Sequence, residues 1–372
     1  MKKITLFTST RAEYGLMKIL IANLQADKEF DFNLLVSGTH LSSKFGSTIN
    51  EIKKDGIKNI HLLPISFDES KKNDMGNIIA NTIKLITKKL KVIKPNYLIL
   101  LGDRFECFGA ATAAHLLGIK ILHLHGGETT LGALDNKLRH AISQLSTYHF
   151  TSAEIHKKKV ESIIGSSMNV FNIGPMVMDS LLNLKIISRK EFENETGFTF
   201  SKINLLVSFH PETLSPDFGI SIFENLLKIL EKFDCNVLFT SPNADIGSKE
   251  IRNLIKKFIL KNKNKCFYYP SLGQSLYHNA LILFDCLIGN SSSGIIEAPL
   301  LKRKVLNFGD RQKGRFRFGE VIDVQNHLGS ISESLINILK NKSDNFDYKK
   351  FLESKKATSP SDQIISFLKF NI

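Results

Sequence analysis

The sequence predicts an α/β protein made of two doubly wound parallel sheets, and three observations support this prediction. Apolar runs of strand length alternate with amphipathic helical patterns, and the loops between them are short. Residues 97–101 are apolar throughout, which indicates a strand that is buried on both faces. The alternation restarts after Gly174, and 372 residues are enough for two domains with a core each.

The first predicted domain covers residues 1–174. Its apolar runs predict strands at 3–7, 31–36, 97–101, 119–124, 148–151 and 169–173. Helical spacing is predicted at 14–26, 75–93, 105–117 and 134–145, and a lysine-rich helix separates the last two strands. Residues 9–13 are expected to form a polar turn. Pro95 ends the long helix, and Gly118 stops the next one.

The second predicted domain covers residues 175–354, and its strands are expected at 205–209, 237–240, 286–288 and 305–308. Residues 355–372 have the apolar spacing of a helix. We expect this segment to pack as a final helix on the first domain.

Composition limits the classes of partner. Charged residues make up 23% of the chain and apolar residues 42%, which is ordinary for a soluble globular protein. The net charge of +14 is spread over helix faces, so an anionic substrate is favoured over nucleic acid. No apolar run approaches the roughly 20 residues of a membrane span. The four scattered cysteines indicate free thiols in the cytoplasm and no metal site.

A turn of small residues, GNSSSGIIE, follows the strand at 286–288. Backbone N–H groups and the hydroxyls of Ser291 and Ser292 at such a turn suit a phosphate, although a serine-capped helix without a ligand has the same pattern. Glu297 could accept hydrogen bonds from both hydroxyls of a ribose. The alternative is that it is an ordinary solvated helix residue. In open parallel sheets, ligands bind beyond the carboxyl ends of the strands.

Three further polar residues follow predicted strands. Arg11 suits bidentate binding of a diphosphate, and the absence of GxGxxG around it disfavours a dinucleotide site. His210 suits a phosphate or sugar contact, and Arg311 lies in the motif GDRQKGR. Each residue also has an ordinary alternative: Arg11 as a surface arginine, His210 as a structural histidine and Arg311 as a residue that aids solubility.

Three acids lie close together in the chain. Asp103 and Glu128 follow neighbouring strands, and Asp135 lies near the start of the next helix. Carboxylates gathered at one crevice suit proton transfer to and from carbon, although one of them could be an N-cap. His123 and His125 are separated by one residue and lack metal-ligand spacing, which disfavours a zinc site.

Taken together, these motifs resemble the hydrolysing UDP-N-acetylglucosamine 2-epimerases, which make N-acetylmannosamine for sialic acid synthesis. The resemblance extends from Thr10 to about Arg315, with the motifs in the same order. It is carried by TRAEYG, GDRFE, HLHGGETTLGALDNKLRHAISQLS, SFHPET, SPNAD, SLGQ and GNSSSGIIEAP…NFGDRQKGR. It implies the glycosyltransferase-B (GT-B) fold, in which two Rossmann-like domains face a cleft and a C-terminal helix crosses back.

The resemblance also implies roles for individual residues. Catalysis falls to Asp103, Glu128 and Asp135, with Arg104 beside them. The residues implied to hold UDP are Arg11, His210, Asn243, Ser291, Ser292, Glu297 and Arg311. HGGE resembles the hydrolysing branch, since the non-hydrolysing branch has an acid where His125 stands. Ser9 departs from the glycine of many members, and NIGPMVMD departs from the commoner interdomain stretch.

The implied reaction eliminates UDP to a glycal and then adds water, with no redox cofactor. Glu128 is assigned as the base at C2, Asp135 as the opposite-face acid or water-orienting group, and Asp103 as electrostatic support; Glu128 and Asp135 are interchangeable at this stage. The alternatives are a UDP-sugar glycosyltransferase, a hydrolysing epimerase for a UDP-2,4-diacetamido-trideoxyhexose and a non-catalytic sensor. A homo-oligomer, either dimer or tetramer, is the default expectation.

Overall fold

The structure is a computed structural model that describes residues 1–42, 48–65, 75–129, 135–213, 215–243, 246–340, 346–355 and 358–370. The chain divides into two compact units. The first comprises Met1–Leu182 and Lys355–Ile372, and the second comprises Asn183–Ser354. The first unit continues past residue 174 because the short helix Val177–Leu182 packs on the helix Arg11–Ala26.

The described part of the first unit contains one parallel sheet. Its strands are β1 (Lys2–Thr8), β2 (Phe30–Val36), β3 (Ile60–Leu62), β4 (Tyr97–Leu101), β5 (Lys120–Leu124), β6 (Tyr148–Thr151) and β7 (Val170–Asn172). Its helices are α1 (Arg11–Ala26), α2 (Ile49–Lys54), α3 (Met75–Ile93), α4 (Phe105–Leu116), α5 (Asp135–Leu145), α6 (Glu154–Ile164) and α7 (Val177–Leu182), with α15 (Pro360–Phe370) from the end of the chain. The strand order is β3-β2-β1-β4-β5-β6-β7, so the chain winds outward from β1 in both directions.

Both faces of this sheet are covered by apolar side chains. Successive residues of a strand point to opposite faces, so Ile99 joins one core cluster while Leu98 and Leu100 join the other. All five residues of β4 are buried. The polar residues that follow β4 and β5 therefore lie at the carboxyl edge of the buried central strands of the sheet.

Helix α15 completes the core of the first unit. Ile364 and Leu368 are fully buried in that core, and the ring of Phe367 lies 5.3 Å from the ring of Phe150. The buried carboxylate of Asp179 accepts hydrogen bonds from Ser359 Oγ at 2.8 Å, and from the N–H and hydroxyl of the following serine, residue 361. Asp179 thus stabilises the start of α15.

The second unit also has one parallel sheet among its described residues, in the order β10-β9-β8-β11-β12-β13. Its strands are β8 (Asn204–Ser208), β9 (Asn236–Thr240), β10 (Cys266–Tyr269), β11 (Cys286–Gly289), β12 (Val305–Phe308) and β13 (Ile322–Val324). Its helices are α8 (Arg189–Thr196), α9 (Ile220–Leu230), α10 (Ser248–Lys261), α11 (Gly273–Leu283), α12 (Glu297–Leu300), α13 (Leu328–Lys340) and α14 (Tyr348–Ser354). The adjacent central strands β8 and β11 end at the His210 and Ser291 motifs.

Within the described ranges, no helix is both long enough and apolar enough to cross a membrane.

Buried histidines give the fold a pH dependence. His149 in β6 is 1% exposed, and burial lowers its pKa from 6.5 to about 4. In the unfolded chain the His149 ring binds a proton near pH 6.5, whereas in the folded chain it stays neutral down to about pH 4. The free energy of unfolding is therefore highest above pH 6.5 and falls as the pH drops towards 4. Replacing His149 with phenylalanine should remove this acid-induced loss of stability, which is about 2 kcal/mol at about pH 5.

Urea unfolding at about pH 5 and about pH 7.5 measures this effect. The H149F variant should lose less stability between the two pH values than the wild type. The H115Q variant, altered at an exposed histidine of α4, is the matched control and should behave as the wild type. An H149F variant with the wild-type loss would contradict the prediction.

Candidate functional site

Arg139 holds two of the predicted catalytic acids together. Asp103 follows β4, Glu128 follows β5, and Arg139 lies on α5. The Arg139 Nη2 group donates to Asp103 Oδ2, and Nη1 donates to Glu128 Oε2 at 3.1 Å and to the His125 carbonyl at 3.0 Å. Arg139 is 5% exposed, so its charge is shielded from water and is matched by two carboxylates.

Glu128 also accepts hydrogen bonds on its other oxygen. Ser152 Oγ donates to Glu128 Oε1 at 2.6 Å, and His125 Nδ1 lies 3.0 Å from the same oxygen. The N–H of Met176 donates to His125 Nε2 at 3.0 Å, so the neutral His125 ring carries its proton on Nδ1 and donates to Glu128. His125 has a positive φ of 62°, a conformation that is rare for residues other than glycine.

These contacts keep Glu128 ionised. Burial acts to raise its pKa, but His125, Arg139 and the Ser152 hydroxyl together hold that pKa well below its usual range. Burial acts to lower the pKa of Arg139, and the two carboxylates raise it overall. The arrangement is therefore a preorganised ionic cluster with negative charge in excess.

Asp135 is the first residue of α5, one helical turn before Arg139. Its side chain lies outside the described part of the structure, so its predicted role as an acid stays a prediction.

Arg104 belongs to a different cluster from the one expected. Its guanidinium donates to both oxygens of Glu106 at 3.0 Å and lies 4.0 Å from Glu13 Oε1. Glu106 is 1% exposed and Glu13 is 6% exposed. Although it is next to Asp103 in sequence, Arg104 is the N-cap residue of α4, and its side chain contacts these buried acids.

Arg11 lies at the start of α1. The expected polar turn at residues 9–13 is wrong in its second half, because α1 begins at Arg11 with Thr10 as N-cap. Thr10 and Glu13 form a capping box, which fixes the entry to the helix. The Arg11 side chain is 59% exposed and pairs with Glu51 at 3.0 Å.

The serine turn of the second unit is tightly constrained. Gly289 at the end of β11 has a φ of 140°, and a Cβ there would lie 2.0 Å from the Ser208 carbonyl oxygen, so only glycine fits. Ser291 caps the 3-10 turn Ser292–Gly294 and accepts from the Ser293 N–H. The partly buried hydroxyls of Ser291 and Ser292 lie at the carboxyl edge of the sheet.

Asn290 contacts two of the residues that are predicted to bind UDP, His210 and Arg311. Its side chain accepts from the His210 N–H at 2.7 Å and donates to the His210 carbonyl at 2.8 Å. The Arg311 guanidinium donates to the Asn290 carbonyl at 3.2 Å, and His210 Nδ1 accepts from the Asn243 N–H at 3.1 Å. Burial, helped by Arg311, lowers the pKa of His210 to about 4, so its ring is neutral at pH 7.

Glu297 begins α12 and is half-buried. Its Oε2 atom is enclosed and has no hydrogen-bond partner among the described residues. Burial raises the pKa of this carboxyl. An enclosed oxygen of this kind suits a hydroxyl donor from a ligand.

Sequence reasoning missed Ser152 and the histidine that follows it by one helical turn. His156 Nδ1 lies 2.8 Å from Ser152 Oγ, and because the Ser152 hydroxyl donates to Glu128, His156 is the donor to Ser152. Ser152 directly follows β6, so the rule that identified Asp103 and Glu128 would also have found it. Asn290 and Arg139 were noted in their motifs, but without a role.

Across the described ranges, no group of three or more histidine, cysteine, aspartate or glutamate side chains is arranged to hold a metal ion.

Two units, each built on a parallel sheet with polar motifs at the carboxyl edge, define a GT-B-like α/β fold, as the sequence predicted. The UDP-GlcNAc 2-epimerase of Neisseria meningitidis, solved with UDP-GlcNAc bound, has this fold; its TM-score is 0.75 at 20% identity, with 99% of both chains covered. The family model for UDP-N-acetylglucosamine 2-epimerase matches residues 22–368, and the chain belongs to that family. The resemblance inferred from the motifs is thereby confirmed.

Two relatives are similar over most of their length. The GDP/UDP-N,N'-diacetylbacillosamine 2-epimerase (hydrolyzing) of Campylobacter jejuni is 34% identical over 336 residues, which is 90% of this chain and 87% of that protein. Polysialic acid biosynthesis protein P7 of Escherichia coli is 36% identical over 327 residues, which is 87% of this chain and 83% of that protein.

Proposed function

We propose that this protein is a hydrolysing 2-epimerase of a UDP-linked 2-acetamido sugar, with UDP-N-acetylglucosamine as the first candidate substrate. The products are UDP and N-acetylmannosamine, a precursor of sialic acid. The observation that carries the proposal is the pair Asp103 and Glu128, bridged by Arg139 at neighbouring strand ends in a member of the epimerase family.

The reaction proceeds in two halves. In the first, the bond between C1 and the diphosphate oxygen breaks, UDP leaves with the electron pair, and a carboxylate takes the C2 proton to give the glycal. In the second, a proton returns to C2 from the opposite face, and water adds to C1. The sum is UDP-sugar plus water giving UDP plus the C2-inverted sugar, without change of oxidation state.

The contacts of Glu128 suit a base for an activated proton. Its low pKa makes it a weak base, yet it is ionised throughout the neutral range. Departure of UDP places positive charge at C1 and acidifies C2, so a weak base then suffices. Asp103 and Glu128 also stabilise that developing positive charge, because together they outnumber the single Arg139 cation.

The second unit supplies the groups for UDP. We assign the Ser291 and Ser292 hydroxyls and the Arg311 guanidinium to the diphosphate, with the neutral His210 as a hydrogen-bonding partner beside Asn243. The enclosed Glu297 oxygen is assigned to the ribose hydroxyls. Two further residues keep proposed roles from the family resemblance: Arg11 at the diphosphate and Asp135 as the opposite-face acid.

A UDP-N,N'-diacetylbacillosamine, which is a UDP-2,4-diacetamido sugar, is the second candidate substrate. The supporting observation is the name of the Campylobacter jejuni relative, which is 34% identical to this chain. The chemistry at C1 and C2 is the same for both candidates, so the acid cluster serves either. The side chains that contact the substituents at C4 and C6 of the sugar determine which of the two substrates is bound.

The proposal is tested by incubating the protein with each UDP-sugar in deuterated water. We expect one of the two to yield free 2-epimerised sugar with one deuterium at C2, together with UDP. Nuclear magnetic resonance of the sugar and chromatography of UDP provide the readout. Sugar without deuterium at C2 would rule out the scheme, and UDP release only when an acceptor is added would indicate a glycosyltransferase. UDP binding without turnover of either substrate would indicate a sensor.

A further inference from the structure

Three hydroxyl groups form a chain behind the phosphate-type turn of the second unit. The Tyr277 hydroxyl, from α11, lies 2.5 Å from Ser293 Oγ. Ser293 Oγ lies 3.1 Å from Ser291 Oγ, and the Ser293 N–H also donates to Ser291 Oγ at 3.4 Å. Ser293 is 5% exposed, so the middle of the chain is shielded from water.

An acceptor-only ligand fixes the direction of this chain. Phosphate oxygens carry no proton to donate, so a phosphate at Ser291 requires that hydroxyl to point outward as a donor. Ser291 Oγ then accepts from Ser293, whose hydroxyl proton is thereby used. Ser293 Oγ in turn needs a donor behind it, and Tyr277 is in place to provide it.

Tyr277 is suited to be that donor. Burial, aided by the nearby Glu297 charge, raises its pKa to about 12, so the phenol keeps its proton at all neutral pH values. The groups that interact with its hydroxyl are the carboxylate of Glu297 and the serine hydroxyls 208, 291 and 293. Tyr277 therefore contacts side chains that support the proposed ligand site.

We propose that Tyr277 is a positioning residue, which acts through Ser293 to fix the Ser291 hydroxyl as a hydrogen-bond donor to a phosphate group of the ligand. This inference rests on the proposed function, because it takes the serine turn as the diphosphate site. It goes further by assigning a role to a tyrosine that lies outside the turn.

Calorimetric binding of UDP and of uridine to the full-length protein tests the proposal. We expect Tyr277→Phe to weaken UDP binding by about three- to tenfold, since one hydrogen bond in the chain is lost. Uridine has no phosphate, so its affinity should stay unchanged. Tyr268→Phe removes a tyrosine hydroxyl from β10 in the same unit, and this matched control should leave both affinities unchanged.

A double-mutant cycle separates positioning from general damage. Without the Ser291 hydroxyl, Tyr277 has nothing to position, so Tyr277→Phe in a Ser291→Ala background should cause no further loss of UDP affinity. Ser293→Ala removes the middle hydroxyl of the three and should weaken UDP binding as Tyr277→Phe does. It provides the same test if Tyr277→Phe folds poorly.

Three outcomes would overturn the inference. They are an unchanged UDP affinity in both single variants, an equal loss for UDP and uridine, and an additive loss in the Ser291→Ala background. A wild-type protein that binds no UDP would instead refute the proposed function and remove the basis of the inference. The two failures are thus distinguishable.

Discussion

Replacing Glu128 with glutamine is expected to slow UDP release from the UDP-sugar by about 10²- to 10⁴-fold, the range found for the loss of a positioned general base. Glutamine keeps the shape and still accepts from Ser152, but it carries no charge and cannot take a proton from C2. UDP affinity should change little, because the groups assigned to UDP belong mainly to the other unit. Steady-state kinetics with calorimetric UDP binding measures both quantities.

Supplying the glycal intermediate distinguishes the base role from charge stabilisation. If Glu128 is the base of the elimination half, the Glu128→Gln variant should hydrate added 2-acetamidoglucal far better than it releases UDP. Equal loss in both half-reactions would contradict the base assignment and make Glu128 a stabiliser of positive charge on the ring. Glu154→Gln is the control, because Glu154 is an exposed acid on α6.

Replacing Arg139 with methionine should destabilise the first unit by about 3–5 kcal/mol, the cost of leaving buried charge without its partner. Methionine fills similar space, but it leaves Asp103 and Glu128 without their shared cation. The damage should be smaller near pH 5 than near pH 8, since burial without Arg139 raises the pKa of Glu128 and lets it take up a proton. Urea unfolding at the two pH values measures this.

Arg139→Lys is the matched control for charge. A lysine keeps one positive charge but cannot donate to both carboxylates and the His125 carbonyl in the same fork, so we expect an intermediate loss of stability. A methionine variant as stable as the wild type would show that the two acids do not depend on Arg139. Activity should fall in both variants because the separation of Asp103 and Glu128 is no longer fixed.

Central strands were predictable from sequence, as was the edge strand β7, but the other edge strands were not. β4, β6 and β12 match the predicted ranges residue for residue, since each is a run of mostly apolar residues between turn signals. The strands β3, β10 and β13 were missed, and each is an edge strand in which at most one residue is buried. An edge strand has a neighbour on one side only, so these three short strands are less buried than the central ones.

The candidate site was predictable where a residue directly follows a strand. Asp103 and Glu128 come together because β4 and β5 are adjacent and parallel, which the strand pattern already implied. The bridge made by Arg139 depends on the rotation of α5, which no local pattern specifies. Arg104 shows the same limit: neighbouring residues of one turn contact different clusters, because the start of α4 directs their side chains apart.

The position of α15 has a consequence for how the chain folds during synthesis. The core that supports Asp103 and Glu128 is incomplete without Ile364, Phe367 and Leu368, although all of the sheet around it is translated long before. The second unit, Asn183–Ser354, contains all six described strands of its own sheet, so that sheet can form before α15 is synthesised. We therefore expect the first unit to complete its core only after the second unit has been synthesised, although synthesis of the first unit begins earlier.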